Sequence, residues 1–385
     1  MIYLDNAATS FPKPEAVYQA MDAFARASLA NPGRSSHRMA RESERQIDIA
    51  RAAFNRFFQG AGAERWIFTL NGTDALNIAI KGVINPGDHV ITTDLEHNSV
   101  SRPLVQMERD GKISLTRVAS QDGYIDPAAI RAALTPRTRL IAMTHAANVL
   151  GTVQPIAPIG AIAREADALF LVDAAQSAGV FPIDLSTLPI DLLAFPGHKA
   201  LYGPTGTGVL YVGPRAQVRP WREGGTGGDS KHPVQPEELP YRLEGGTPNL
   251  LGIVGLRTGL EWVSQRGAES NRLHEVALLQ TVVDWVEAGG YGWKIAGRWD
   301  PDTHVGALSL IPPDYDQFHP QDLADMLDSS FEIAVRPGLH CAPYIHQRLG
   351  TYPHGTLRLS TGPFNTPEHI ATLCQALEEI TAAVI

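Results

Sequence analysis

The sequence predicts an α/β protein: a large domain on a mostly parallel seven-stranded sheet, with a smaller α+β C-terminal domain after it. Three observations lead there. Between Trp66 and Val212, seven short apolar runs alternate with stretches whose apolar residues recur at helical spacing. That is the pattern of strands joined by crossover helices, with the sheet covered on both faces. After Val212 the rhythm stops, and a Gly- and Pro-rich stretch precedes two long helical segments. A chain of 385 residues also exceeds what one compact core serves. The division is read as 15–265 for the large domain, with 1–14 and 266–385 forming the small one.

Pro12 and Pro14 keep the opening segment extended, and the first helix is expected over Glu15–Leu29. The loop Asn31–His37 ends it, and Ser36 is placed as the cap of a second helix, Arg38–Phe58. Trp66–Leu70 reads as a strand that Asn71-Gly72-Thr73 turns into a helix through Lys81. Further strands are expected at His89–Thr93, Ile113–Val118, Leu140–His145, Leu169–Asp173, Leu192–Phe195 and Gly208–Val212. Helices fall between several of them, at Ser99–Arg109, Pro127–Leu134 and Pro158–Ala166. The stretch from Gly224 to Pro240 is a long loop near the site. Helices Pro248–Gln265 and Ala268–Glu287 follow, the second bridging into the small domain. That domain is given strands at Val305–Ile311, Ile333–Val335 and Thr356–Ser360, and helices at Pro320–Ser329 and Pro367–Ala383.

A net charge of -9 argues against nucleic acid or an anionic membrane as a main partner. Only two cysteines occur, Cys341 and Cys374, which gives no disulfide framework and fits a reducing cytoplasm. The opening Met-Ile-Tyr-Leu-Asp is neither basic nor a long apolar run, so no signal peptide or membrane span is expected, and no metal site either.

The chemistry centres on Asp191–Gly208. An apolar strand ends in Phe195-Pro196-Gly197 and presents His198 and Lys199, with Gly203, Gly206 and Gly208 allowing tight turns behind them. A lysine partly buried there has a lowered pKa and can serve as a Schiff-base amine. A solvated surface turn is the plainer reading. Upstream, Leu169-Phe-Leu-Val-Asp173 is an apolar strand ending in an acid. Lysine and acid are what pyridoxal phosphate needs: one holds its aldehyde carbon, the other keeps its ring nitrogen protonated.

With Leu4-Asp-Asn-Ala-Ala-Thr9, Asn71–Asn77, Glu96-His97-Asn98, Asn148–Thr152, Asp173-Ala-Ala-Gln176, Gly197-His-Lys199, Gly246-Thr-Pro-Asn249 and Arg336–Cys341 in this order, the chain resembles the fold-type I pyridoxal phosphate enzymes. More narrowly it resembles the class V aminotransferase and cysteine desulfurase family. The resemblance implies that Lys199 carries the cofactor, Asp173 meets its ring nitrogen, and His97 stacks on the ring and moves protons. It further implies Asn148 and Gln176 at the phenolic oxygen, and Gly72, Thr73, Asp74 and His198 around the phosphate. On spacing alone, a plain helix cap at Thr73 or Asp74 serves equally well there. Thr247 is implied to reach the phosphate of a partner chain in a homodimer. Arg358 is implied to fork onto the substrate α-carboxylate, with Ala8 and Asn148 also at the substrate.

Cys341, in a compact Gly/Pro-bounded loop beside His340 and Arg336, resembles the sulfur-accepting cysteine of the second class of cysteine desulfurases. Its thiolate would take sulfur from L-cysteine as a persulfide, leave L-alanine, and pass the sulfur to an acceptor protein, as in iron–sulfur cluster assembly. Two positions depart from the family pattern: Pro196 stands where many relatives have a hydroxyl residue, and Leu339 where they have a second histidine. Selenocysteine lyase, cysteine or cystine C–S lyase and a class V aminotransferase are the neighbouring activities, and a non-catalytic scaffold keeping the fold is the alternative of another class.

Overall fold

The structure is a computed structural model that describes residues 1–33, 37–226, 233–289 and 291–384. In chain order its elements are β1 (Ile2–Tyr3), α1 (Glu15–Ala27), α2 (Arg38–Phe58), β2 (Trp66–Thr69), α3 (Gly72–Val83), β3 (His89–Thr93), α4 (Asn98–Arg109), β4 (Ser114–Val118), α5 (Pro127–Ala132), β5 (Thr138–Thr144), α6 (Ile156–Glu165), β6 (Leu169–Asp173), β7 (Leu192–Pro196) and β8 (Gly208–Val212). They continue with α7 (Leu250–Arg266), α8 (Ala268–Glu287), β9 (Lys294–Ile295), β10 (Ala307–Ile311), α9 (Pro320–Phe331), β11 (Ile333–Ala334), β12 (Arg336–Gly338), α10 (Pro343–Leu349), β13 (Thr356–Ser360) and α11 (Pro367–Val384).

The large sheet has seven strands in the order β2-β8-β7-β6-β5-β3-β4. β8 alone runs against its neighbours, pairing antiparallel with β2 and β7. Period-two alternation sorts each strand between two cores. Ile141, Met143, Phe170, Val172, Leu193 and Phe195 face one side, against α2, α6 and α7. Leu140, Ala142, Leu169, Leu171, Leu192 and Ala194 face the other, against α3 and α4. Both faces are therefore dry, as a parallel sheet requires. Phe54, Phe58 and Phe195 pack around Trp66, which is fully buried.

The small domain has its own core, built by Leu278, Val282, Leu308, Leu357, Leu359, Leu373 and Leu377 from α8, α11 and the antiparallel sheet β12-β13-β10-β9. β1 pairs parallel with β11 and ties the N-terminus to it. Cys374 lies in this core, and burial pushes its thiol up to about 11.

The structure differs from the sequence reading mostly at caps and short elements. Ser36 lies outside the described residues; the cap of α2 is His37, whose Nδ1 accepts from the Ala40 N–H at 3.2 Å. The helix expected from Pro248 starts at Leu250 and is capped by Asn249, whose Oδ1 accepts from the Gly252 N–H at 3.0 Å. The stretch 336–343, read as a loop, contains β12 and runs into α10, a three-residue strand and a seven-residue helix too short to leave a periodic signal. No helix among the described residues is long and apolar enough to cross a membrane.

Candidate active site

The parallel strands β3, β5, β6 and β7 end on one edge of the sheet, which is where open α/β sheets place ligands. A cavity of about 210 Å³ lies there, closed on its other side by Arg336 and Arg358 of the small domain. Ala8, Gly72, Thr73, His97, Asn148, Asp173, Gln176, His198 and Lys199 all line it. Asp74, Thr247 and Cys341 do not.

Lys199 stands in the turn between β7 and β8. Its carbonyl accepts from Ser10 Oγ and from the Tyr202 N–H, both at 2.8 Å, so its backbone is fixed. Burial, with the Arg358 charge adding to it, lowers its ammonium to about 8. Asp173 ends β6 between Thr144 and Ala194 of the flanking strands. Its Oδ1 accepts from the Ala175 N–H at 2.9 Å, and burial raises its pKa, an expense that a protonated ring nitrogen beside it would offset.

One end of the cavity is the start of α3. Asn71 takes the N–H groups of Asp74, through Oδ1 at 2.9 Å, and of Ala75, through its carbonyl at 3.2 Å. Those of Gly72 and Thr73 have no acceptor among the described residues. A Cβ on Gly208 would come within 2.3 Å of the Asn71 backbone, so only glycine lets β8 pass behind this turn. His198 Nδ1 is buried without a partner. Free N–H groups at a helix start and an orphaned imidazole nitrogen fit a phosphate. Asp74 does not join them: its carboxylate accepts from Arg222 at 2.8 Å and from the Leu70 N–H at 3.1 Å.

One connection was not readable from spacing. Ser99 Oγ lies 2.7 Å from Thr73 Oγ1 and 2.9 Å from His97 Nδ1, and the Ser99 N–H donates to that same nitrogen at 3.1 Å. His97 Nδ1 is therefore an acceptor, its proton sits on Nε2, and the Thr73 hydroxyl is left to donate to Ser99. Burial, then the charges of Lys199 and Arg336, lower His97 to about 4, so the ring is neutral. The preceding residue, Glu96, is fully buried, its Oε1 accepting from Thr93 Oγ1 at 2.7 Å; burial raises it to about 8 and keeps it protonated.

At the opposite end Arg336 and Arg358 face each other across the β12–β13 ladder. Arg358 Nη2 donates to Asp5 Oδ1 at 2.9 Å and Nη1 to the Asn148 carbonyl at 3.0 Å, while Nε is buried and unpaired. Asn148 Nδ2 donates to the His340 carbonyl at 2.7 Å, which leaves Oδ1 as its open atom. Gln176 Nε2 donates to the Ala7 carbonyl at 3.0 Å. Both amides thus spend one N–H on a backbone carbonyl.

Cys341 follows His340 just outside the cavity, with Arg336 Nη2 3.9 Å from its sulfur. Both residues have positive φ, 48° and 59°, a conformation L residues adopt at a cost. The loop is held there by the Asn148 bond and by the Asn98 N–H, which donates to the Cys341 carbonyl at 2.7 Å. Thr247 is exposed on a separate cavity of about 680 Å³, together with Arg222 and Thr226. No cluster of metal-ligating side chains occurs among the described residues.

A lysine, an acid, a neutral imidazole and the free N–H groups of a helix start thus surround one cavity. The chain belongs to the aminotransferase class-V family, whose model matches residues 2–373. A probable cysteine desulfurase of Methanothermobacter thermautotrophicus is 34% identical over 391 residues, with 98% of this chain and 94% of that protein covered. Among solved structures, the apo cysteine desulfurase of Thermococcus onnurineus superposes with a TM-score of 0.92 at 31% identity, covering 99% of this chain and 95% of the other. The Escherichia coli cysteine desulfurase CsdA does so with a TM-score of 0.88 at 29% identity, covering 100% and 95%.

Proposed function

We propose that this protein is a pyridoxal 5'-phosphate-dependent cysteine desulfurase that converts L-cysteine to L-alanine and takes the sulfur as a persulfide on Cys341. The observation that carries the reading is the meeting of Lys199, Asp173 and the unpaired Arg358 Nε in one cavity, with the only loop cysteine at its rim. Lys199 would hold the cofactor, Asp173 its ring nitrogen, His97 its ring face, and Gly72, Thr73 and His198 its phosphate. When bound, the cofactor supplies an electron sink at the substrate's α-carbon.

The chain's own residues do the rest. Arg358 presents Nε and Nη2 to the α-carboxylate. Lys199, with a pKa near 8, is in part a free amine at neutral pH and takes the α-proton. Arg336 Nη2 lies 3.9 Å from the Cys341 sulfur, the nucleophile of the next step. The thiolate attacks the substrate sulfur, an S–S bond forms, the Cβ–S bond breaks, and its electron pair stays with carbon to be protonated. The sum is L-cysteine plus a protein thiol giving L-alanine plus a protein persulfide, with no outside oxidant.

A homodimer is part of the reading. Thr247 is exposed and away from its own cavity, as a residue serving a partner's phosphate would be, and Pro196 withholds a local donor. Transfer to an acceptor protein and a cytoplasmic setting complete the proposal. The test is to incubate the purified protein with L-cysteine and a reductant and to measure alanine, pyruvate and sulfide together. Alanine matching sulfide is expected; pyruvate with ammonia in place of alanine would make it a lyase.

A further inference from the structure

Arg358 is 1% exposed, yet Asp5 is its one carboxylate partner among the described residues. Its two terminal nitrogens are tied from opposite sides, Nη2 by Asp5 at the N-terminus and Nη1 by the Asn148 carbonyl from the loop after β5. Nε stays unpaired. Left to itself the guanidinium would be pushed aside, because Arg336 is its direct cross-strand partner and like charges so placed repel.

Asp5 itself has little freedom. The Ser360 N–H donates to the Leu4 carbonyl at 2.7 Å, the Asn6 N–H donates to the Ser360 carbonyl at 3.3 Å, and the Ala7 N–H donates to Ser360 Oγ at 2.9 Å. The Tyr3 hydroxyl closes the turn by donating to the Thr9 carbonyl at 2.8 Å. The segment lies along the end of β13, so its carboxylate meets Arg358 at a fixed place.

We propose that Asp5 is a positioning residue for substrate selection: it anchors Nη2 so that the Nε edge of Arg358 faces the cavity and picks out amino acids with a free α-carboxylate. The inference rests on Arg358 as the carboxylate anchor, and its test separates the two. The holoenzyme is titrated, by its absorbance change, with L-alanine and with L-alaninamide, which lacks the carboxylate. Wild type is expected to prefer L-alanine, and Arg358→Gln to lose the preference.

Asp5→Ala should lower the preference about tenfold, the scale of a charge-assisted hydrogen bond, with L-alaninamide binding unchanged. Asp5→Asn keeps an acceptor oxygen in place and should restore most of it. In turnover, KM for L-cysteine should rise in Asp5→Ala while kcat stays within about threefold. If Asp5→Ala does not fold, Asp5→Ser, too short to reach Nη2, replaces it. A wild type without preference would sink the Arg358 reading and this inference with it. A preference that Arg358→Gln abolishes but Asp5→Ala keeps, or an equal loss for both ligands, would overturn the role of Asp5 alone.

Discussion

The two walls of the cavity are made of different material. On the large-domain side, Asp173, His97 and the start of α3 sit where strands end or helices begin, and each is fixed by backbone bonds of regular structure. Its histidines are neutral: burial lowers both His97 and His198 to about 4. The small-domain side carries two guanidiniums on facing strands and two consecutive residues at positive φ. Under the proposed function the first wall would hold a ring and a phosphate through neutral donors and one acid. The second, with its charge and backbone strain, would meet the substrate carboxylate and the Cys341 thiol. Cofactor binding and sulfur chemistry would then fall to different domains, and substitutions should separate them.

Lys199→Ala, on the first wall, is expected to remove both functions: no cofactor absorbance and no turnover. Borohydride labelling of a peptide around Lys81 in the wild type would show that the wrong lysine had been chosen. Cys341→Ala, on the second wall, should keep the absorbance and the spectral response to L-cysteine while alanine formation falls by several orders of magnitude. Undiminished alanine from that variant would erase the division between the walls.

The pH response sharpens the comparison. Cofactor capture needs the neutral amine, so loading of the apoprotein should rise with pH and level off above about 8, the pKa of Lys199. Between pH 6 and 8 the neutral fraction grows about fiftyfold. A loading rate still climbing at pH 10 would mean an unshifted lysine.

Smaller effects follow. Ser99→Ala cuts the link between Thr73 and His97 and should weaken cofactor binding about fivefold, the worth of one ordinary hydrogen bond, with kcat for the loaded enzyme little changed. Equal losses in both would move Ser99 to the chemistry. Cys374→Ala should leave sulfur transfer intact and cost about 0.5–1 kcal/mol of stability, read by denaturant unfolding.

Much of this was legible in the sequence, for a physical reason. The inner strands β6, β7 and β8 are buried along their whole length, so their apolar runs are nearly unbroken, and the residues ending them, Asp173 among them, could be placed by counting. His97 and Lys199 fall just past such ends. What could not be read depends on contacts between distant segments. Nothing in Asn98-Ser99 announces Thr73 as a neighbour, and Asp5 meets Arg358 because the N-terminal segment lies along the end of β13, more than 350 residues away in sequence. The cap of α2 was placed one residue early because His37 does what the nearby Ser36 does equally well in isolation.

The bonds that hold the His340–Cys341 loop have a further consequence. Its carbonyls are fastened to Asn98 and Asn148, while Tyr344, just beyond, stacks under the Arg117 guanidinium at 3.7 Å and Arg348 donates to the Ser120 carbonyl at 3.2 Å. Such a loop does not swing. Under the proposed function a sulfur atom held on Cys341 would stay at the cavity rim, and an acceptor would have to reach it there.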